Sequence, residues 1–219
     1  MSTVKGRSYQ SPLRQQQALA TRDRLAATAM ALFTEKGYQA TTVAEIAKGA
    51  GVSVPTVHAV LDGKRGIARH LLREAILGLR LPEGEGPEPG RILDSPTGRG
   101  KLTEICTITA RIGRRGATIY RILLDASGDP EIATLLRDVG RRRFDRMTLY
   151  AEDLAASKLL RVDVGRERGR DILYWASSPQ LYLQMVTELD WTEEEFVSWL
   201  LESLTDMLLE RRSAAMTDS

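Results

Sequence analysis

Apolar positions recur along this chain with the period of an α-helix. Leu25, Ala29 and Phe33 fall four residues apart with Ala26 and Met30 beside them, predicting one buried stripe on a helix that ends near Lys36. Gly37 stands where a terminating glycine belongs. Thr42 and Glu45 have the spacing of a capping box, which opens a short second helix closed by Gly51. Ser53 caps a third short helix with Pro55 in its first turn, where a missing N–H costs nothing. Asp62-Gly63 interrupts the pattern, and a fourth helix runs from Lys64 to about Leu81 with Ile67, Leu71, Leu72, Ala75 and Ile76 on its apolar side.

The pattern then lapses. Residues 82–100 hold four prolines and five glycines and predict a linker without helix. Helical periodicity resumes over 101–112, 117–126, 129–160, 166–177, 179–188 and 192–212. Asp129-Pro130 and a second capping box, Thr192 with Glu195, mark two of the starts. No stretch alternates with period two, so the expected fold is all-α.

Charge changes the picture more than composition does. The 219 residues are 42% hydrophobic and 27% charged, ordinary for a globular protein. The net charge of +2 hides an uneven split: residues 1–80 hold 12 Lys/Arg against 5 Asp/Glu, and residues 81–219 hold 19 against 24. A basic N-terminal third on an acidic remainder suggests a polyanion-binding module on a separate body. One cysteine, Cys106, excludes an intrachain disulfide. The first residues lack the apolar core of a secretory signal, and no apolar run is long enough for a membrane span, so a cytoplasmic protein is expected.

The stretch Val43 to Asp62 carries the sharpest motif. Ala47 is small where two helices must approach, Gly51 suits a turn of positive φ, and Val57 with Ile46 and Val52 supplies an apolar plug. That spacing fits a helix-turn-helix, and it also fits an ordinary αα-corner. The flanking residues resemble the tetracycline-repressor-like (TetR) family of regulators over about residues 21–72: Phe33, Gly37-Tyr38, Thr41-Thr42-Val43, Ile46-Ala47, Ala50-Gly51-Val52-Ser53, Thr56 and Lys64 fall at family spacing.

Composition predicts a mobile basic arm (1–20) and the linker (82–100), and the resemblance implies a helix-turn-helix head of three helices (21–81) and a larger helical body for effector binding and dimerisation (101–219). It implies a homodimer that binds a palindromic double-stranded DNA operator and is released by a small-molecule effector; no nucleophile–base pair or metal cluster supports an enzyme, and no cofactor or membrane partner is expected. In the head, Val54, Pro55 and Thr56 would face the major groove, while Thr42, His58 and Lys64 would meet phosphates. His58, Val60 and Leu61 depart from the family's usual Tyr, His or Tyr, and aromatic; an interaction protein that keeps the fold without operator binding is the alternative.

Other signals are weaker. His58 and His70 lack zinc-ligand spacing, so no metal is expected. Cys106 reads as a small core residue with a redox role left open, and Gly98-Arg99-Gly100-Lys101 lacks the spacing of a phosphate loop. Arg141, Arg142, Arg143 and Arg146 read as a solvated face. Tyr150, Tyr174 and Trp175 are candidates to line an effector pocket or to pack the core. Leu200, Leu201, Leu204, Met207 and Leu208, with Trp199, predict a stripe for a four-helix dimer interface.

Overall fold

Capping chemistry sets where the helices begin. The computed structural model describes residues 12–77 and 89–210, which form ten helices: α1 (Pro12–Ala40), α2 (Val43–Ala50), α3 (Val54–Leu61), α4 (Gly63–Leu77), α5 (Pro89–Asp94), α6 (Gly98–Asp125), α7 (Pro130–Ala156), α8 (Gly165–Ala176), α9 (Pro179–Tyr182) and α10 (Glu193–Leu208). Both capping boxes form, and Ser53 and Asp129 cap α3 and α7. The described residues contain no strand, only an isolated bridge between Leu160 and Leu209. No helix among them is long and apolar enough to cross a membrane.

The chain divides into two compact units after Leu71, inside α4. In the smaller unit Leu25, Ala29, Phe33 and Tyr38 of α1 are buried, as are Ile46, Ala47, Val57, Leu61, Ile67 and Ala68. Gly51 ends α2 at φ 68°, and its N–H reaches back to Ala47 and Lys48. Gly37, at φ 82° and ψ 164°, breaks the helical path of α1 near the expected stop. The basic arm and the linker need correcting. Residues 12–20 are already helical, so only residues 1–11 of the arm lie outside the described residues. Residues 82–88 of the linker also lie outside them, whereas 89–94 form α5 and 98–100 open α6.

In the larger unit one core joins α5 to α10, with Leu102, Ile105 and Cys106 of α6 packed among residues such as Tyr150 and Leu154 of α7, Leu173 of α8 and Phe196 of α10. The two segments expected at 101–112 and 117–126 are one helix. Its glycines serve packing: a Cβ at Gly113 would lie 2.3 Å from the Tyr182 ring, and one at Gly116 would lie 2.9 Å from the Ala75 methyl. Lys101, 3% exposed, donates to Leu93 O at 2.6 Å and pairs with Asp153 at 2.8 Å, tying α5, α6 and α7 together. After α9 the chain makes a wide π-helical turn over Leu183–Glu188.

The apolar stripe of α10 divides differently from expectation. Leu200, Leu204 and Leu208 are fully buried in their own subunit; Trp199, Leu201 and Met207 are half-buried. Three of the five aliphatic groups expected at a dimer interface therefore belong to the subunit core.

Candidate functional site

Helix α3 shows a split between its two faces. Val57 and Leu61 point into the small core, while Val54 (39% exposed), Pro55, His58 and Ala59 lie at the surface. Those positions, i, i+1, i+4 and i+5, form one side of the helix. Thr56 is half-buried, its Oγ1 2.8 Å from Ser53 Oγ, so its hydroxyl belongs to the helix cap. The His58 ring lies over the α3–α4 turn: a Cβ at Gly63 would meet its Cε1 at 2.9 Å.

Thr42 is exposed, and its protons are engaged. Its hydroxyl donates to Glu45 Oε2 at 2.8 Å, and its amide donates to the same oxygen at 2.9 Å. Lys36 pairs with Glu45 from the end of α1, a contact that sequence reasoning missed because no local spacing rule reaches across Gly37. Lys36 first, and then the Thr42 bonds, hold the Glu45 carboxyl at about 2, so it stays ionised at neutral pH.

Lys64 has a different duty from the expected phosphate grip. Its Nζ donates to Tyr38 O at 2.9 Å and Thr41 O at 2.8 Å, with Gln39 O at 3.5 Å, and lies 4.3 Å from the Tyr38 ring centre. An ammonium has three N–H donors. These are directed at carbonyls that follow the break in α1, where a cation satisfies otherwise unpaired acceptors. Lys64 is thus a clamp inside the head.

The larger unit encloses a cavity of about 210 Å³. Leu72, Arg73 and Ile76 of α4, Ile92 of α5, and Ile105, Ile108, Thr109, Ile112, Gly116 and Tyr120 of α6 form part of its wall. Val139, Arg142, Arg143, Arg146, Met147 and Tyr150 of α7 form another, closed by Ser177 and Pro179. Burial pushes the Tyr150 phenol pKa up, against a smaller opposing effect of Arg146, so it remains a proton donor at neutral pH.

Of the three aromatic candidates, Tyr150 alone lines this cavity. Tyr174 lies with Phe144 along a shallower depression, and its ring carries the Arg143 guanidinium at 4.2 Å. Trp175 lines neither hollow and is 48% exposed. The arginine run is corrected in part: Arg141 and Arg142 are exposed as expected, whereas Arg143 and Arg146 are half-buried, and Arg142, Arg143 and Arg146 border the cavity. The signal was present in the recurrence of Val139, Arg142/Arg143, Arg146/Met147 and Tyr150 on one helical face. Cys106 is fully buried, and burial pushes its thiol up to about 12, which removes the thiolate that redox chemistry needs. Among the described residues no cluster of His, Cys, Asp and Glu could hold a metal.

Comparison with known proteins is most specific over the head. Residues 25–71 match the model of the bacterial regulatory proteins of the tetR family. The chain is 39% identical over 56 residues to the probable HTH-type transcriptional regulator YttP of Bacillus subtilis (strain 168), a match covering 26% of this chain and 27% of YttP. The chain thus matches about a quarter of that relative's length. The fold as a whole is similar to NalD, described as the secondary repressor of the MexAB-OprM multidrug efflux pump in Pseudomonas aeruginosa, with a TM-score of 0.68 and 19% identity over 90% of this chain and 100% of NalD. It is equally similar to SmeT in its complex with triclosan, with a TM-score of 0.68 and 16% identity over 91% of this chain and 96% of SmeT. At such identities the two structures speak for the fold, and the match to a named family lies in the head: residues 25–71 carry a domain similar to that of the tetR family of bacterial regulatory proteins.

Proposed function

We propose that this protein is a cytoplasmic transcriptional repressor that binds a palindromic DNA operator as a homodimer and leaves it when a small molecule fills the cavity of the larger unit. The observation that carries the reading is the outward face of α3. It presents Val54, Pro55, His58 and Ala59 to solvent on a helix whose other face is locked into the core of a tetR-family domain. A helix set in this way enters a major groove, where base edges are distinguishable. Val54 and Pro55 suit apolar contacts, such as a thymine methyl, and His58 adds a ring nitrogen for a phosphate or base edge. The Thr56 methyl is the remaining reading group near the start of α3.

The effector half rests on the cavity and on α4, a single helix that has residues in both units and lines the cavity with Leu72, Arg73 and Ile76. A ligand that favours one setting of α4 would shift the population of DNA-binding heads. The similar fold of SmeT holds a small molecule, triclosan, and that of NalD belongs to a repressor. Val197, Trp199, Leu201 and Met207 of α10 pack against the subunit core yet stay half-buried, and their outer sides are the α10 surface proposed to pair two subunits.

A second reading is favoured by the engaged state of Thr42 and Lys64, which leaves the head fewer phosphate donors. It is an interaction protein that keeps the fold and binds no operator. Selection of duplexes from a random pool by the full chain separates the two. The repressor reading expects an enriched inverted repeat bound by a dimer, with affinity falling steeply in salt. A pool that stays random over repeated rounds favours the interaction protein.

A further inference from the structure

The cavity has a chemical bias that the proposed regulatory role does not specify. Its wall is mostly aliphatic, yet it includes four arginines, Arg73 of α4 and Arg142, Arg143 and Arg146 along one side of α7, and no acidic residue is among those that line it. Guanidinium groups beside a hollow are normally neutralised by carboxylates of the same protein. Among the described residues the three of α7 make no ion pair, although Asp138 and Asp145 are close in sequence. Arg143 is held by other means. It stacks on Tyr174 at 4.2 Å and reaches Ser177 O at 3.5 Å, while its buried Nε has no hydrogen-bond partner. A buried donor of that kind is costly unless a ligand satisfies it. Nε and a terminal nitrogen of one arginine form the fork that matches two carboxylate oxygens.

We infer that the cavity binds an apolar organic carboxylate, with its carboxylate on Arg143 and Arg146 and its hydrocarbon body among the isoleucines of α6. The inference rests on the reading of this cavity as the effector site. The size sets the body: about 210 Å³ is room for roughly seven waters at ~30 Å³ each, or for an acid of about ten heavy atoms at the closer packing of bonded carbon. A cationic ligand meets like charges, and a neutral one, even where its oxygen accepts from Arg143 Nε, leaves the arginine charges unpaired.

The test uses three probes of equal chain length and different head groups: octanoate, 1-octanol and octylammonium. Calorimetric titration of the full chain is expected to show octanoate binding at least tenfold more tightly than octanol, and octylammonium more weakly than either. In Arg146→Gln octanoate falls to within about threefold of octanol, while octanol affinity is unchanged. Arg143→Gln is expected to do the same; circular dichroism checks its fold, since Arg143 also packs on Tyr174. Octylammonium binding as tightly as octanoate overturns the inference. So does a folded Arg146→Gln that keeps the full preference, or octanoate that gives no heat at millimolar concentration. DNA release is read separately on the selected operator. If octanoate binds with the arginine dependence and leaves the DNA complex intact, the carboxylate site stands and the effector reading fails. If octanol or octylammonium releases DNA and octanoate does not, the effector reading stands and the carboxylate inference fails.

Discussion

Replacing Lys64 by Met separates a structural clamp from a phosphate contact. The substitution keeps most of the aliphatic stem and removes the ammonium. Two hydrogen bonds go with it, at 2.9 Å to Tyr38 O and 2.8 Å to Thr41 O, as does the cation–π contact at 4.3 Å. Hydrogen bonds from a charged donor contribute about 1.5–3 kcal/mol, and a partly exposed cation–π contact about 0.5–1 kcal/mol. Lys64 is only half-buried, and water will replace part of what is lost, so the expected cost is about 2–3 kcal/mol. For a chain of this size that lowers Tm by about 4–12 °C. Thermal unfolding by circular dichroism measures the shift, and operator binding across a salt series supplies the second readout. The clamp account expects the lowered Tm with an unchanged salt slope once binding is compared well below Tm. An unchanged Tm together with a slope shallower by about 0.9 would refute it, because that is the signature of one lost phosphate contact.

Three further expectations follow from particular contacts. Thr56→Ala should lower affinity for the operator by about 1–3 kcal/mol and for random DNA much less, read by titration of both duplexes, if its methyl meets a base edge. Equal losses on the two would assign Thr56 to the Ser53 cap alone. Lys101→Met leaves Asp153 without its partner and frees α5; the cost of breaking a buried pair, about 3–5 kcal/mol, is discounted to about 2–3 because Asp153 is 25% exposed, and chemical denaturation should show it. Cys106, its thiol pushed up to about 12, should resist a thiol reagent in the native protein at pH 8 and react on unfolding; rapid native labelling would contradict the burial.

The head was legible in the sequence because its determinants are local. Thr42 with Glu45, Ser53, Gly51 and the stripe of α1 each act within a few residues, and each forms as the spacing predicts. What escaped the sequence depends on partners far along the chain. Gly113 and Gly116 suggested a break, and only Tyr182 and Ala75, which need the space, explain why α6 continues through them. Pro89 and Gly90 suggested a linker, yet α5 forms where Ile92 buries its side chain and Lys101 binds the carbonyls of Ile92 and Leu93. Lys64 had the look of a surface cation because its acceptors lie 23 to 26 residues upstream, at Tyr38, Gln39 and Thr41. The arginines of α7 looked solvated for a related reason. Their helical face was readable from spacing, but that part of it borders a cavity depends on α4, α5 and α6.

The central claim is that α3 reads a major groove, and methylation interference tests it most directly. Guanine N7 lies in the major groove and adenine N3 in the minor groove. With the selected operator, methylation at guanine N7 is expected to block binding in both half-sites, one helical turn or a multiple apart, and methylation at adenine N3 to leave it unaffected there. The interference at one symmetric pair of positions should disappear in Thr56→Ala or His58→Ala, because a contact already lost cannot be blocked. An interference pattern confined to adenine N3, or one that both variants leave unchanged, would contradict the assignment of α3 as the reading helix.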